Sequence, residues 1–280
     1  HMNLTLPFSC KFVLFLSLFV GCSTAPKVFF KDTVDTETKS IRYQSIRTFT
    51  FADSGVSFSN QFEGARLNSV DQLNDSVFTV TILPENEPIN HSPYYAFDVW
   101  SSSPKEITLK FKYPGQYKHR YVPKIKSNGT WSVADSLTFQ FDENFSSLKL
   151  QINPTAKIVS GQELHTSSVV YSWVNQLIEG KESFVRSKTI GKTKLKRPFR
   201  VLDIYKGSPK NKPVLVLITR QHPPEVTGYF AFQAFLSTIL DENKLTSSFL
   251  DHYRILAFPL MNPDGVDLGH WRHNAGGVDT

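Results

Sequence analysis

The chain has 280 residues, 40% of them hydrophobic and 20% charged, with 31 Lys and Arg against 25 Asp and Glu. This composition excludes collagen-like, disordered and coiled-coil chains, and a domain size of roughly 100–200 residues predicts two domains or one large one. A net charge of +6 spread along the chain is too small to indicate nucleic acid, and with only Cys10 and Cys22 no disulfide framework holds the body together.

His1 reads as a cloning scar ahead of a natural start at Met2. Behind Lys11, Phe12–Val20 is apolar but for one serine. A membrane-spanning helix needs about 20 apolar residues, so this run fits the core of a secretory signal instead. Phe19-Val-Gly-Cys22 resembles a bacterial lipoprotein box, with Phe19 where Leu is usual; the rival is cleavage after Ala25. The expectation is a signal over residues 1–21, lipid on Cys22 holding the protein to the membrane of the cell envelope, and a tether over 22–45. A secreted protein is the alternative.

From residue 46 to about 155, short segments alternate with period 2: Thr48–Phe51, Val56–Ser59, Val77–Ile82, Ile107–Lys112, Leu137–Phe141 and Leu148–Ile152. Turn clusters separate them, among them Pro84-Glu-Asn86, Pro114-Gly115 and Ser127-Asn-Gly129. The pattern predicts an antiparallel β-sandwich, without a cluster of titratable residues that marks chemistry.

Residues 156–280 read as α/β. Val169–Ile178 has helical spacing and stops at Gly180. Strands follow at Phe184–Ile190 and Phe199–Tyr205, carrying the basic series Arg186, Lys188, Lys192, Lys194, Lys196, Arg197 and Arg200. Such a series reads as a solvated hairpin or as contact with an anionic surface. Val214–Thr219 is an apolar run expected of a strand covered on both faces, Val226–Leu240 a buried helix, and Ile255–Leu260 a second buried strand. Strand, helix and strand in this order form a βαβ unit.

His222-Pro-Pro-Glu225 lies just past the first buried strand, where open α/β sheets bind ligands. Imidazole nitrogen and carboxylate oxygen both suit Zn²⁺. Pro224 fits the first helical position, which puts Glu225 in the first turn. By themselves these residues equally fit a helix N-terminus beside an exposed loop histidine.

After the second buried strand come Asn262-Pro-Asp-Gly265, a tight turn, then Trp271-Arg272 and Gly277-Val-Asp279. In this order the motifs resemble the M14 family of zinc carboxypeptidases, particularly the cytosolic carboxypeptidase branch. The resemblance spans roughly residues 46–280, the β-rich half included. It implies a two-domain chain, an antiparallel β-sandwich followed by a mixed-sheet carboxypeptidase-like domain. It also implies zinc on His222 and Glu225, Arg272 as the group that polarises the scissile carbonyl, and a peptide or protein C-terminus as substrate. Trp271 is expected to pack, and His270 and His273 to pack or line a rim.

In that family an Asn-Arg pair follows Gly-x-Asp-x, and a third zinc ligand, a general base and a pocket tyrosine lie further on. None has a counterpart in these 280 residues. The expectation is therefore the front portion of an M14 enzyme, inactive by itself. The alternative is a non-catalytic exported binding protein that keeps the fold.

Overall fold

The computed structural model describes residues 38–142 and 145–280. Cys22, the expected signal and residues 22–37 of the expected tether lie outside the described residues. Residues 38–45 do not hang free but are bonded to the body, the Arg42 amide donating to the Glu85 carbonyl at 2.7 Å and Gln44 Oε1 accepting from the Leu67 amide at 2.9 Å. Among the described residues no helix is long and apolar enough to cross a membrane. Contacts gather Glu37–Thr280 into one compact unit, and it contains two hydrophobic cores.

The first core lies between two sheets built from β1 (Thr48–Phe51), β2 (Val56–Ser59), β3 (Ser69–Asn74), β4 (Val77–Thr81), β5 (Ala96–Ser101), β6 (Lys105–Lys112), β7 (Lys124–Ser127), β8 (Thr130–Val133), β9 (Phe139–Phe141), β10 (Ser146–Ile152) and β11 (Lys157–Ser160). Their orders are β1-β2-β5-β11-β7-β8 and β3-β4-β6-β10-β9. Period-2 alternation decides the inward faces. Ile107, Leu109 and Phe111 of β6 meet Leu148, Leu150 and Ile152 of β10, while Lys149 and Gln151 point outward. Phe58, Phe78 and Phe97 fill the centre, with ring centroids 5.3 and 6.1 Å from Phe58.

One sheet departs from the antiparallel expectation. β4 and β6 run parallel, Val77 opposite Thr108 through Thr81 opposite Lys112. Parallel neighbours need a crossover, and here the chain leaves to form β5 in the other sheet before it returns.

The second core lies under a four-stranded mixed sheet. α1 (Ser167–Ile178) leads into β12 (Val185–Lys192) and β13 (Pro198–Ile204). β14 (Val214–Ile218), α2 (Val226–Ile239), α3 (Lys244–His252), β15 (Arg254–Phe258) and α4 (Pro263–Asp267) complete it. The order is β12-β13-β15-β14, with β14 and β15 parallel and joined through α2 and α3. Helices α1, α2 and α3 all pack on one face, against Leu202, Ile204, Ile255 and Ala257.

Two burial expectations are corrected here. β14 is an edge strand among the described residues, and Val214, Val216 and Ile218 are 49%, 56% and 49% exposed. The apolar run suggested cover on both faces, but only Leu215 and Leu217 pack toward the helices. Helix α2 likewise buries one stripe, Val226, Tyr229, Phe232, Leu236 and Ile239, whereas Phe230 and Phe235 are exposed. A period of 3.6 with one covered side leaves the other side outward whatever its composition.

Candidate active site

The chain between β14 and α2 turns sharply. Arg220 takes a left-handed conformation with φ of 56°, and its buried guanidinium donates to the carbonyls of His165 and Pro223 at 3.1 and 2.9 Å. The Glu225 amide donates to the His222 carbonyl at 3.2 Å, closing a turn over Pro223 and Pro224. Helix α2 begins only at Val226, so Glu225 is its N-terminal cap residue and not a member of the first turn. The two prolines shape the turn ahead of the helix and do not start it.

This turn brings His222 Nδ1 to 2.6 Å from Glu225 Oε1. On its other side, His222 Nε2 is 2.8 Å from Asp279 Oδ1. Arg272 binds the same aspartate, Nε to Oδ2 at 2.9 Å and Nη2 to Oδ1 at 3.2 Å, and Nη2 also stands 3.0 Å from His222 Nε2. His222, Glu225 and Arg272, chosen from the sequence, are thus one cluster. Arg272 Nη1 takes no hydrogen bond among the described residues. Burial would raise the Glu225 and Asp279 carboxyls, but hydrogen bonds from His222 and Arg272 respectively outweigh it and hold both below the usual carboxylate range.

The site arginine stands on a loop set by the Asn262-Pro-Asp-Gly segment. That segment is the short helix α4, where a plain tight turn was expected. Asn262 caps it, accepting from the Gly265 amide at 2.8 Å, and its Nδ2 donates to the Arg272 carbonyl at 3.2 Å. Gly265 is required by space: a Cβ there would lie 2.6 Å from the His273 carbonyl oxygen. Asp264 and Asp267 then dock the helix. Asp264 accepts from Thr193 and the Leu195 amide at the β12–β13 tip at 2.7 and 3.1 Å, and Asp267 accepts from Arg197 and Ser167, both at 2.5 Å. The basic hairpin is therefore partly a structural clamp, through Arg197, while Lys192, Lys194 and Lys196 are exposed.

The neighbours of Arg272 on this loop, His270, Trp271 and His273, point away from the site into protein. Trp271 belongs to the sandwich core, its indole N–H on the Tyr94 carbonyl at 3.0 Å and its ring edge-on to Tyr117. His270 and His273 are buried; His270 Nδ1 donates to the His273 carbonyl at 2.8 Å, and burial pushes its pKa down to about 4. The residue that sequence reasoning missed is Glu85. It is fully buried and accepts the backbone N–H groups of Trp271, Arg272 and His273 at 2.8, 2.9 and 2.8 Å. In the sequence it was part of a turn cluster, with no local signal of a contact 186 residues away. Asp279 was legible only as a motif member.

Residues 170–280 match the zinc carboxypeptidase family, Peptidase M14. This match covers the α/β half of the chain. Cytosolic carboxypeptidase 3 of Mus musculus is 22% identical over 81% of this chain and 25% of its own length. Cytosolic carboxypeptidase 6 of Caenorhabditis elegans is 22% identical over 79% of this chain and 52% of its own. The chain thus spans a quarter to a half of these relatives. A metallo-carboxypeptidase structure from Burkholderia cenocepacia superposes with a TM-score of 0.67 at 16% identity, over 80% of this chain and 61% of that one. That likeness establishes a carboxypeptidase-like fold.

Among the described residues no group of three His, Cys, Asp or Glu side chains is arranged to hold a metal. The site nevertheless fits zinc in its donor chemistry at two positions. His222 Nδ1 and a Glu225 oxygen face each other, one nitrogen and one oxygen donor. Asp279 on the far ring nitrogen is the carboxylate partner that metal-bound histidines use to fix their orientation. His270 and His273 do not add a third ligand, because the protein interior encloses both.

Proposed function

We propose that this chain is part of a zinc-dependent peptidase that removes C-terminal residues from peptides or proteins. The observation that carries the proposal is the convergence of His222, Glu225, Asp279 and Arg272 within a segment of the M14 family. Zinc held by His222 and Glu225 would supply a Lewis acid and a more acidic bound water.

The protein's own residues have separable tasks. Asp279 accepts from His222 Nε2, which leaves Nδ1 for the metal. It also fixes Arg272 through Nε and Nη2, leaving Nη1 as the donor for a carbonyl oxygen gaining negative charge. A preorganised donor of this kind contributes strongly in the transition state. The third ligand and the general base are not assigned to any described residue. The alternative reading, a carboxypeptidase-fold binding protein without catalysis, is an outcome of the test that follows. Export and lipid attachment at Cys22 are proposed on residues 2–25 alone.

The test uses the natural protein with His222→Ala, Glu225→Ala and Arg272→Ala. The first two should lose zinc by metal analysis. Arg272→Ala should keep zinc and lower kcat and kcat/KM together, by about 10²–10³-fold. Equal zinc in all three would refute the ligand assignment, and a zinc-loaded wild type without turnover on C-terminally varied peptides would favour the binder.

A further inference from the structure

We propose that Glu85 is a positioning residue for Arg272, a carboxylate supplied by the β-sandwich that fixes the backbone from which the guanidinium reaches the site. Three consecutive backbone N–H groups that converge form an anion-binding concavity. In this protein the anion is a side chain from the other core. Oε2 takes the Trp271 amide, and Oε1 takes those of Arg272 and His273 together with His273 Nδ1 at 3.3 Å.

The distribution of these bonds separates positioning from simple stabilisation of the sandwich. Among the described residues, every hydrogen bond of the Glu85 carboxylate goes to residues 271–273. Its charge partner, Arg66, stands 3.6 Å away, and Arg66 Nη2 makes no hydrogen bond among the described residues. Arg66 therefore balances the charge, while the directional bonds are reserved for the arginine loop. Asn262 grips the same residue from the α/β side through the Arg272 carbonyl. Arg272 is thus held at its N–H by one core and at its C=O by the other, and Asp279 aims the side chain. A guanidinium lies far out on its stem, so a small tilt of the backbone displaces Nη1 much more. A misplacement of about 1 Å at a reacting centre can cost on the order of 10²-fold in rate.

The task given to Arg272 rests on the peptidase reading; the contact itself does not. The experiment compares Glu85→Gln and the charge-balanced pair Arg66→Gln/Glu85→Gln in the natural protein. Glu85→Gln should keep zinc, change KM little, and lower kcat by about 10–100-fold, as loss of a supporting partner does. The double variant should recover the melting temperature lost by the single one, because no buried charge is left unpaired, yet it should not recover kcat. Recovery of kcat along with melting temperature would show a merely structural role and overturn the proposal. An independent readout is ¹⁵N relaxation of the Arg272 Nε–H group, which should become more mobile in both variants. Unchanged relaxation also overturns the proposal. If the wild type cleaves no peptide, the peptidase reading fails and the relaxation result alone decides the positioning.

Discussion

His222 has a carboxylate on each side, and the two do different work. Glu225 faces the ring nitrogen proposed for metal, whereas Asp279 orients the ring and holds Arg272. Asp279→Asn should therefore weaken zinc binding by about 10–100-fold without removing a ligand, as read by titration against a competing chelator. Unchanged affinity would count against the orienting role. Titration of the buried histidines sets the pH response. Burial pushes His119, His165 and His270 down to about 4, while an unfolded histidine takes its proton near 6.5. Between these values the unfolded chain binds more protons, so stability falls as pH drops, by at most about 1.4 kcal/mol per pH unit for each ring. Glu85, Glu225 and Asp279 act in the same direction at lower pH, since their folded carboxyls lie below the usual range and their contribution fades as they protonate. The urea midpoint should fall steadily from pH 7 to pH 4.5, and a flat profile would contradict the burial of these rings.

Among the elements, β14 has the most conspicuous physical liability. An edge strand with three exposed β-branched residues on one face is a template for association. Val216→Lys should lower concentration-dependent self-association in sedimentation velocity and leave the melting temperature nearly unchanged, because the Val216 side chain is more than half exposed. A lower melting temperature would mean that this face is packed in solution. The same alternation that failed to reveal this exposure did mark β1, β2, β4, β6, β9 and β10. It did not mark β5, which is mostly buried, or β11. Nor did it mark β3, where only Val70 is buried, or the β7–β8 hairpin, half-exposed and rich in lysine. Strands that bury little carry little period-2 signal.

For the whole molecule, the two cores are joined by residues that each belongs to one half in sequence and the other in space. Trp271 follows α4 yet fills the sandwich, and Gly64 of the sandwich donates its amide to the Asp267 carbonyl at 2.7 Å. Gly269 adopts a φ of 63°, and a Cβ there would lie 2.2 Å from the Ala65 carbonyl oxygen, so the backbones meet without room for a side chain. Trp271→Ala should cost about 3–5 kcal/mol and shift the melting of the sandwich and the α/β half together. Circular dichroism and fluorescence of the remaining tryptophans should follow one coincident transition. Two separated transitions would show that the halves fold independently.

The strands and helices that were legible were so because apolar period and turn residues are local; β3, β5, β7, β8, β11 and α3 were not marked. His222 and Glu225 were legible as a possible metal pair because two prolines constrain a short stretch just past a strand, whereas Arg272 was legible only through the resemblance to the M14 motifs. Which faces are covered was not local. The exposed side of β14, the parallel pairing of β4 with β6, and the one-sided burial of α2 depend on what lies across the sheet or helix. Glu85 is the sharpest case. Its sequence neighbours Pro84 and Asn86 mark a turn, and only tertiary folding brings its carboxylate to three amides on the far side of the chain, where a buried charge is stable because those N–H groups and Arg66 surround it.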